Sequence, residues 1–386
     1  MSFSLFGKKQ KTVLGVDIGA GGVKMVELRE AKGRPHLATY AYTERMTDLE
    51  RPLIEDPKRL ADMVKKMRTD AGMTATRAVL GLPIASVFSS IMSVPVASGK
   101  ELKAAIEWQA RKLIPLPLEE MVLDWRMIGE KKIEKASQGR GLIATVVGKS
   151  HIPGLQEIKH EGPPELGKKS MRILLTGAAK PLIAKYTEFG KSAGLELAAL
   201  ETEAYALIRS LVGKDPGTVM IIDFGTVRTS IVVVEQGVPV LTRSINLGGM
   251  TITQTISRTL GISLSDAEQM KRDSERLSVA PGEAGMPTLM AKIIEPLVTE
   301  TRYSMNLYKT QQAEAGGGKG IDKIIVTGGS AHLPYLTAHL SRTLNVNAYV
   351  GDPWARVLAH EDLRPVLEDL GSRFAVAVGL AMRDFE

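Results

Sequence analysis

Two short segments carry the residue types best suited to holding a chain of phosphates. They are Asp17-Ile18-Gly19-Ala20-Gly21-Gly22-Val23-Lys24 and Asp223-Phe224-Gly225-Thr226-Val227-Arg228-Thr229. Each places an aspartate at the end of an apolar run, then a glycine-rich turn, then a second apolar run. Glycine lets the backbone come close to an anion, and successive N–H groups in such a turn point at its oxygens. Asp17 and Asp223 suit Mg²⁺ held through water, because magnesium gives up its hydration shell reluctantly. Lys24 can neutralise a phosphate from one side, and Thr226 and Arg228 can donate from the other. A lone Asp-x-Gly is also an ordinary β-turn. Two copies about half the chain apart, each flanked by strands, instead describe two halves of one cleft. A third glycine turn, Thr327-Gly328-Gly329-Ser330, follows an apolar run and adds a place for an anion or a sugar.

The bulk composition narrows the classes. A chain of 386 residues, 44% hydrophobic, is long enough for more than one core, and its 37 glycines with short β-branched runs suggest an α/β protein. There is no cysteine, which excludes disulfides, thiolate metal sites and cysteine nucleophiles. The six histidines are scattered without metal-ligand spacing. A formal charge of +7 is modest and selects no partner class by itself. No clustered aromatics lie among the basic residues, so the expectation is no nucleic-acid binding. No apolar run reaches the ~18 residues of a membrane span, and the N-terminus lacks an apolar signal core. The expected protein is soluble and cytoplasmic.

The elements that must position these residues can be read from periodicity. Residues 12–28 and 218–235 read as β-hairpins, with further strands near His36–Tyr42, Ala78–Leu82, Met121–Ile128, Met171–Gly177, Val240–Ile245 and Ile324–Val326. Helical spacing marks residues 57–71, through Leu60, Met63, Val64 and Met67, and residues 99–114, through Leu102, Ala105, Ile106, Gln109 and Leu113. Further helices are expected over 180–193, capped by Gly194, and over 203–212, 291–312 and 371–382. Residues 130–140 and 160–169 read as exposed loops.

These pieces, in this order, resemble the actin-like ATPase superfamily, which includes actin, heat-shock chaperones, sugar kinases, FtsA and MreB. Asp17-Ile18-Gly19 with Lys24 looks like its first phosphate motif, and Asp223-Phe224-Gly225-Thr226 like its second. Val326-Thr327-Gly328-Gly329-Ser330 looks like its adenosine motif. Glu201-Thr202-Glu203-Ala204 and Ala377-Val378-Gly379-Leu380-Ala381 resemble its two connecting helices. Within the superfamily the sequence is most similar to the PilM family of the type IV pilus inner-membrane machinery. Ser4–Lys9, the run Trp108–Glu120 with its Ile114-Pro115-Leu116-Pro117, and the helix around Glu300–Tyr308 carry that likeness.

The resemblance implies an actin-like α/β fold, with two RNase H-like lobes around a nucleotide cleft and a small inserted α+β subdomain. The expected division is a tail (1–11), a first lobe (12–85 and 170–215), an insert (86–169), a second lobe (216–370) and a helix returning to the first lobe (371–386). ATP with Mg²⁺ would lie between Gly19, Ala20, Gly21, Gly22 and Lys24 on one side and Gly225, Thr226 and Arg228 on the other. Gly248, Gly249, Gly328, Gly329 and Ser330 would surround the nucleoside. Glu300, Tyr303 and Ser304, at i, i+3 and i+4, would join them from one helical face. Glu201 is the candidate to orient a water for slow hydrolysis, or else a carboxylate complementing a helix dipole.

The implied partner is the cytoplasmic tail of a PilN-like membrane protein, received near residues 76–128, with Val94, Ile106, Trp108, Ile114 and Leu116 as candidate groove residues. Other pilus platform or motor proteins, peripheral attachment to the inner face of the cytoplasmic membrane through partners, and a homo-oligomer fit the same role. FtsA-like filament formation is the alternative, although Met382–Glu386 is too short and acidic for a membrane-targeting helix. The tail, with Phe3, Leu5, Phe6 and three lysines, fits a disordered or partner-contacting segment better than a membrane anchor.

Overall fold

The apolar runs and glycine turns build two five-stranded sheets with the same internal order. A computed structural model describes residues 11–44, 51–96, 99–128, 170–273, 286–314 and 317–385. Residues 1–10 of the tail and the loop readings at 130–140 and 160–169 lie outside the described residues.

The first half contains β1 (Thr12–Gly19), β2 (Gly22–Ala31), β3 (Arg34–Tyr42), α1 (Pro57–Asp70), β4 (Arg77–Leu82), β5 (Val87–Pro95), α2 (Gly99–Leu113), β6 (Met121–Ile128), β7 (Ser170–Ala179), α3 (Lys180–Ser192), β8 (Glu196–Thr202) and α4 (Glu203–Leu207). A π-helical turn, Ile208–Val212, extends α4. The second half contains β9 (Val219–Phe224), β10 (Thr229–Glu235), β11 (Val238–Ile245), α5 (Gly249–Leu260), α6 (Leu264–Arg272), α7 (Thr288–Glu314), β12 (Lys323–Thr327), α8 (Leu336–Leu344), β13 (Asn347–Val350), α9 (Arg364–Leu370) and α10 (Ala375–Met382).

The first sheet runs β3-β2-β1-β4-β8 and the second β11-β10-β9-β12-β13. In each, the first three strands are antiparallel neighbours and the last two add in parallel. Parallel pairing requires a crossover, and helices supply it. α1 shows how the sequence sets one. Asp56 caps its N-terminus by accepting from Arg59 N at 3.1 Å, Pro57 starts the first turn, and Leu60, Ala61, Val64 and Met67 bury one face. Those residues pack with Leu14, Val16 and Leu80 of the sheet.

Two boundaries differ from the sequence reading. That reading places β7 in the first lobe, but it is the central strand of the insert's three-stranded sheet, β5-β7-β6. Its Ile173 and Leu175 pack with Leu102 and Ile106 of α2 and with Met92 and Val94 of β5, so the insert extends to Ala179. β5 itself escapes periodicity because Ser89, Ser90 and Ser93 interrupt its apolar pattern. The second difference lies near the C-terminus. The chain leaves the second sheet after β13, well before residue 370. Leu37 N donates to Leu358 O at 2.8 Å and Leu358 N to Pro35 O at 2.9 Å, on the outer edge of β3. Trp354, Val357, Leu367 and Phe374 then share a core with Val26 and Leu28.

α10 lies against β1 and crosses α4. Gly379 makes the crossing possible: a Cβ there would sit 1.9 Å from Ala206 O. The helix that follows β8 and the last helix of the chain therefore meet backbone to backbone.

Candidate functional site

The two aspartate hairpins face each other. On the first, the ladder sets Asp17 opposite Lys24, and Lys24 Nζ lies 3.8 Å from Asp17 Oδ2. The turn between them needs glycine at position 22, where φ is +129° and a Cβ would stand 2.1 Å from Thr43 O. On the second, Asp223 pairs with Ser230, and Gly225 N donates to Arg228 O at 3.0 Å. The tips nearly touch: a Cβ on Gly21 would be 2.2 Å from Thr226 Oγ1.

The third glycine turn closes the back. Gly328, at φ +90°, lies beside Asp223, Ser330 N donates to Phe224 O at 3.0 Å, and Gly328 N donates to Ser372 O at 3.0 Å. α5 starts on the second hairpin, with Gly249 N donating to Gly225 O at 2.9 Å and Met250 N to Thr226 O at 2.9 Å. Gly248 is the extended residue before that helix, where a Cβ would meet Thr226 O at 2.4 Å.

The enclosed space is a cleft of about 740 Å³. Of the residues singled out in the sequence, Asp17, Gly19, Ala20, Gly21, Lys24, Asp223, Gly225, Thr226, Arg228, Gly249, Gly328, Gly329 and Ser330 line it. Gly22 and Gly248 shape its turns from behind.

Four expected residues stand elsewhere. Glu201 is buried and held by Arg209, whose Nη1 and Nη2 each donate to a Glu201 carboxylate oxygen at 2.9 Å. It is the penultimate residue of β8, beside the strand-to-helix junction. Of the two glutamates it is Glu203, the first residue of α4, that lines the cleft. Glu300, Tyr303 and Ser304 on α7 face the outer side of β11 and the core. Arg243 donates to Glu300 and stacks over the Tyr303 ring at 4.8 Å, while Ser304 is fully buried. Glu268, Lys271 and Arg272 of α6 occupy the cleft wall in their place. Lys271 Nζ donates to Glu268 Oε2 at 2.6 Å, Thr253 Oγ1 at 3.0 Å and Gly249 O at 3.3 Å, which ties α6 to the start of α5. Sequence reasoning passes over this helix because its charges read as a solvated face. Arg373 and Glu44, joined at 2.6 Å, close the cleft mouth between the return segment and the end of β3.

Asp17, Asp223 and Glu203 influence one another in this cleft, with the Lys24 ammonium beside Asp17. Burial raises Asp17, against the pull of Lys24. Burial and then the Asp17 charge push Asp223 up to about 6. Burial, Asp17 and Asp223 together push Glu203 well above the usual carboxylate range, although Ile84 N donates to it at 3.1 Å. Carboxylates that raise one another in this way fit a cation arriving with an anionic ligand. Among the described residues no three acidic or imidazole groups converge as a direct metal cage, so a divalent ion would rely on waters and ligand oxygens. The hydroxyls of Ser244 and Ser372, residues of the lining, are buried without a protein hydrogen-bond partner.

The tip contact gives a direct check. Gly21→Ala should force Thr226 aside and hold the hairpins apart, lowering affinity for a fluorescent nucleotide by roughly tenfold or more. Unchanged affinity in equilibrium titration would mean that no ligand bridges the turns.

Residues expected to line a partner groove divide between core and surface. Val94, Ile106 and Ile114 are core of the insert, and Trp108 lies under Lys112 Nζ, 3.2 Å from its ring centroid. Leu116 is exposed, together with Leu113, Trp125 and Met127. Among the described residues no helix is long and apolar enough to cross a membrane.

The family model described as "Type IV pilus assembly protein PilM" matches residues 15–146 and 162–385. Among solved structures, the chain is similar to that of a "PilM-PilN type IV pilus biogenesis complex", at 24% identity and TM-score 0.73, covering 97% of this chain and 98% of that one. That likeness shows the fold, which is actin-like. Weaker matches are the ethanolamine utilization protein EutJ from Carboxydothermus hydrogenoformans, at 15% identity, TM-score 0.48 and coverage of 97% and 90%, and an MreB of Spiroplasma citri bound to AMPPNP, at 11%, 0.48, 96% and 94%. At those scores the two carry no further argument.

Proposed function

The chain belongs to the PilM family of type IV pilus assembly proteins, and we propose that it binds ATP with Mg²⁺ between its lobes as a cytoplasmic scaffold of the pilus inner-membrane platform. One observation carries the nucleotide reading: the approach of Gly21 to Thr226, with Asp17, Asp223 and Glu203 lining the cleft beside them.

In this reading the amides of residues 19–22 and 225–226 hold phosphate oxygens, and Lys24 supplies positive charge. Asp17 and Asp223 receive magnesium through its waters. The bound metal offsets charge on the phosphates and lowers the cost of keeping three carboxylates ionised. Gly328, Gly329 and Ser330 bound the nucleoside from one side and α6 from the other. Glu203 replaces Glu201 as the group able to orient a water or hold its proton. Turnover is expected to be slow.

The partner in this reading is the cytoplasmic tail of a PilN-like protein, supported by the likeness to a chain of a PilM-PilN complex. Leu113, Leu116, Trp125 and Met127 supply the exposed apolar surface for it. Binding there would place the protein at the inner face of the cytoplasmic membrane through its partner.

Calorimetry tests both halves. MgATP or MgADP should bind with micromolar or tighter affinity, roughly −8 kcal/mol. A synthetic peptide of the PilN cytoplasmic tail should bind with an affinity that changes with nucleotide. Absence of nucleotide binding would sink the cleft assignment, and absence of peptide binding in either state would sink the scaffold assignment.

A further inference from the structure

The insert is attached to the cleft at places that a separate docking module would not need. Its entry is the short turn Ile84–Ser86, which lines the cleft and donates Ile84 N to Glu203 at 3.1 Å. Its exit leads into α3, whose Leu182 and Tyr186 also line the cleft. A third attachment lies on β6. Side chains on a strand alternate faces. Trp125 and Met127 are exposed, whereas Arg126 turns to the opposite face and stacks over the Tyr205 ring, 4.2 Å from its centroid.

Tyr205 stands two residues after Glu203 on α4, which places the two on opposite sides of that helix. One side faces the cleft and the other the insert. A small crevice lined by Ser89, Thr176, Tyr205 and Thr242 marks where β5, β7, α4 and β11 of the second lobe meet. A shift of β6 therefore reaches α4 directly, and a shift of α4 moves Glu203.

We propose that Arg126 is a positioning residue that ties the partner-facing strand of the insert to the helix holding Glu203, so that occupancy of either site is felt at the other. The proposal rests on the nucleotide and partner readings above. Coupling of this kind is reciprocal: a partner that alters nucleotide affinity is itself bound with an affinity altered by the same factor. The contact suits the role because cation–ring stacking weakens steeply as the guanidinium leaves the ring face.

Hydrogen exchange on the full chain, read by mass spectrometry, tests this once calorimetry has established nucleotide binding. Adding magnesium and AMPPNP to the wild type should change amide exchange across residues 121–128. Arg126→Met should bind the nucleotide as tightly but lose that change, and Arg126→Lys should restore it. Tyr205→Leu, which cuts the same contact from the helix side, should match Arg126→Met.

A response in β6 that survives in Arg126→Met, or a wild type that binds nucleotide with no response there, overturns the proposal. Should both variants misfold, the wild type alone decides. The PilN-tail peptide must then change exchange across residues 203–212 without nucleotide, and failure to do so overturns it. A wild type that binds no nucleotide defeats the cleft reading itself, a result distinguishable because binding is measured first.

Discussion

Asp223→Asn should stabilise the empty protein at neutral pH while removing most of its magnesium-dependent nucleotide affinity. The two effects have one origin. Asp223 stands in the cleft wall with a pKa pushed up to about 6, first by burial and then by Asp17, against an ordinary value of 3.8. Between about pH 4 and pH 6 the folded protein holds a proton that the unfolded chain has released. Stability of the empty protein therefore falls as pH rises through that window, and the full penalty is present above it. Asparagine removes the penalty, worth about 1–3 kcal/mol at pH 7. The same change removes a carboxylate that would hold a magnesium water, and groups of that kind typically account for about 10–100-fold in metal affinity. Thermal melts at pH 5 and pH 7.5, with and without MgADP, separate the effects. The variant should melt higher than wild type at pH 7.5, by a margin that shrinks at pH 5, and should gain little from MgADP. A variant that MgADP stabilises as strongly as wild type would remove Asp223 from the site.

Arg209→Met should destabilise the protein by about 3–5 kcal/mol, the usual cost of leaving a buried carboxylate without its partner. Arg209 grips Glu201 with two nitrogens and donates to Gly379 O at 2.7 Å, so one side chain joins the end of β8, the π-helical turn and α10. Chemical denaturation at neutral pH gives the measurement. Glu203→Gln supplies the contrast. Burial already favours the proton-bound form of Glu203, so the amide should leave stability unchanged or raised while slowing any phosphate release. If Glu201→Gln instead slowed phosphate release at full stability, the roles assigned to these two glutamates would have to be exchanged.

The closeness of Glu201 and Glu203 in sequence shows where reading residues alone stops. Both lie in the segment Glu201-Thr202-Glu203-Ala204, and the segment is recognisable. Which carboxylate faces the cleft depends on where β8 ends and α4 begins. That point is Thr202, fixed by the ladder of β8 with β4. A shift of two residues there would bring Glu201 to the place that Glu203 holds. The same limit explains α7 and α6. Glu300, Tyr303 and Ser304 share a helical face by spacing, but spacing does not say which way the face points. Packing of α7 turns it toward Arg243 and the core, and α6 takes the cleft position.

Local chemistry determined the rest. Asp17, Gly21, Gly22, Lys24, Asp223, Thr226 and Gly328 were legible because a strand-ending aspartate and a glycine with positive φ or no room for a Cβ are demands of the backbone itself. Apolar alternation likewise marked the two hairpins before any contact between them was known. The tertiary structure decided what depends on partners distant in the chain: that the two tips meet at Gly21 and Thr226, that β7 joins the insert, that residues 352–385 return to the first lobe, and that Glu203 rather than Glu201 enters the cleft. Each of those outcomes is set by which buried surfaces find one another, and a single strand or helix does not contain that information.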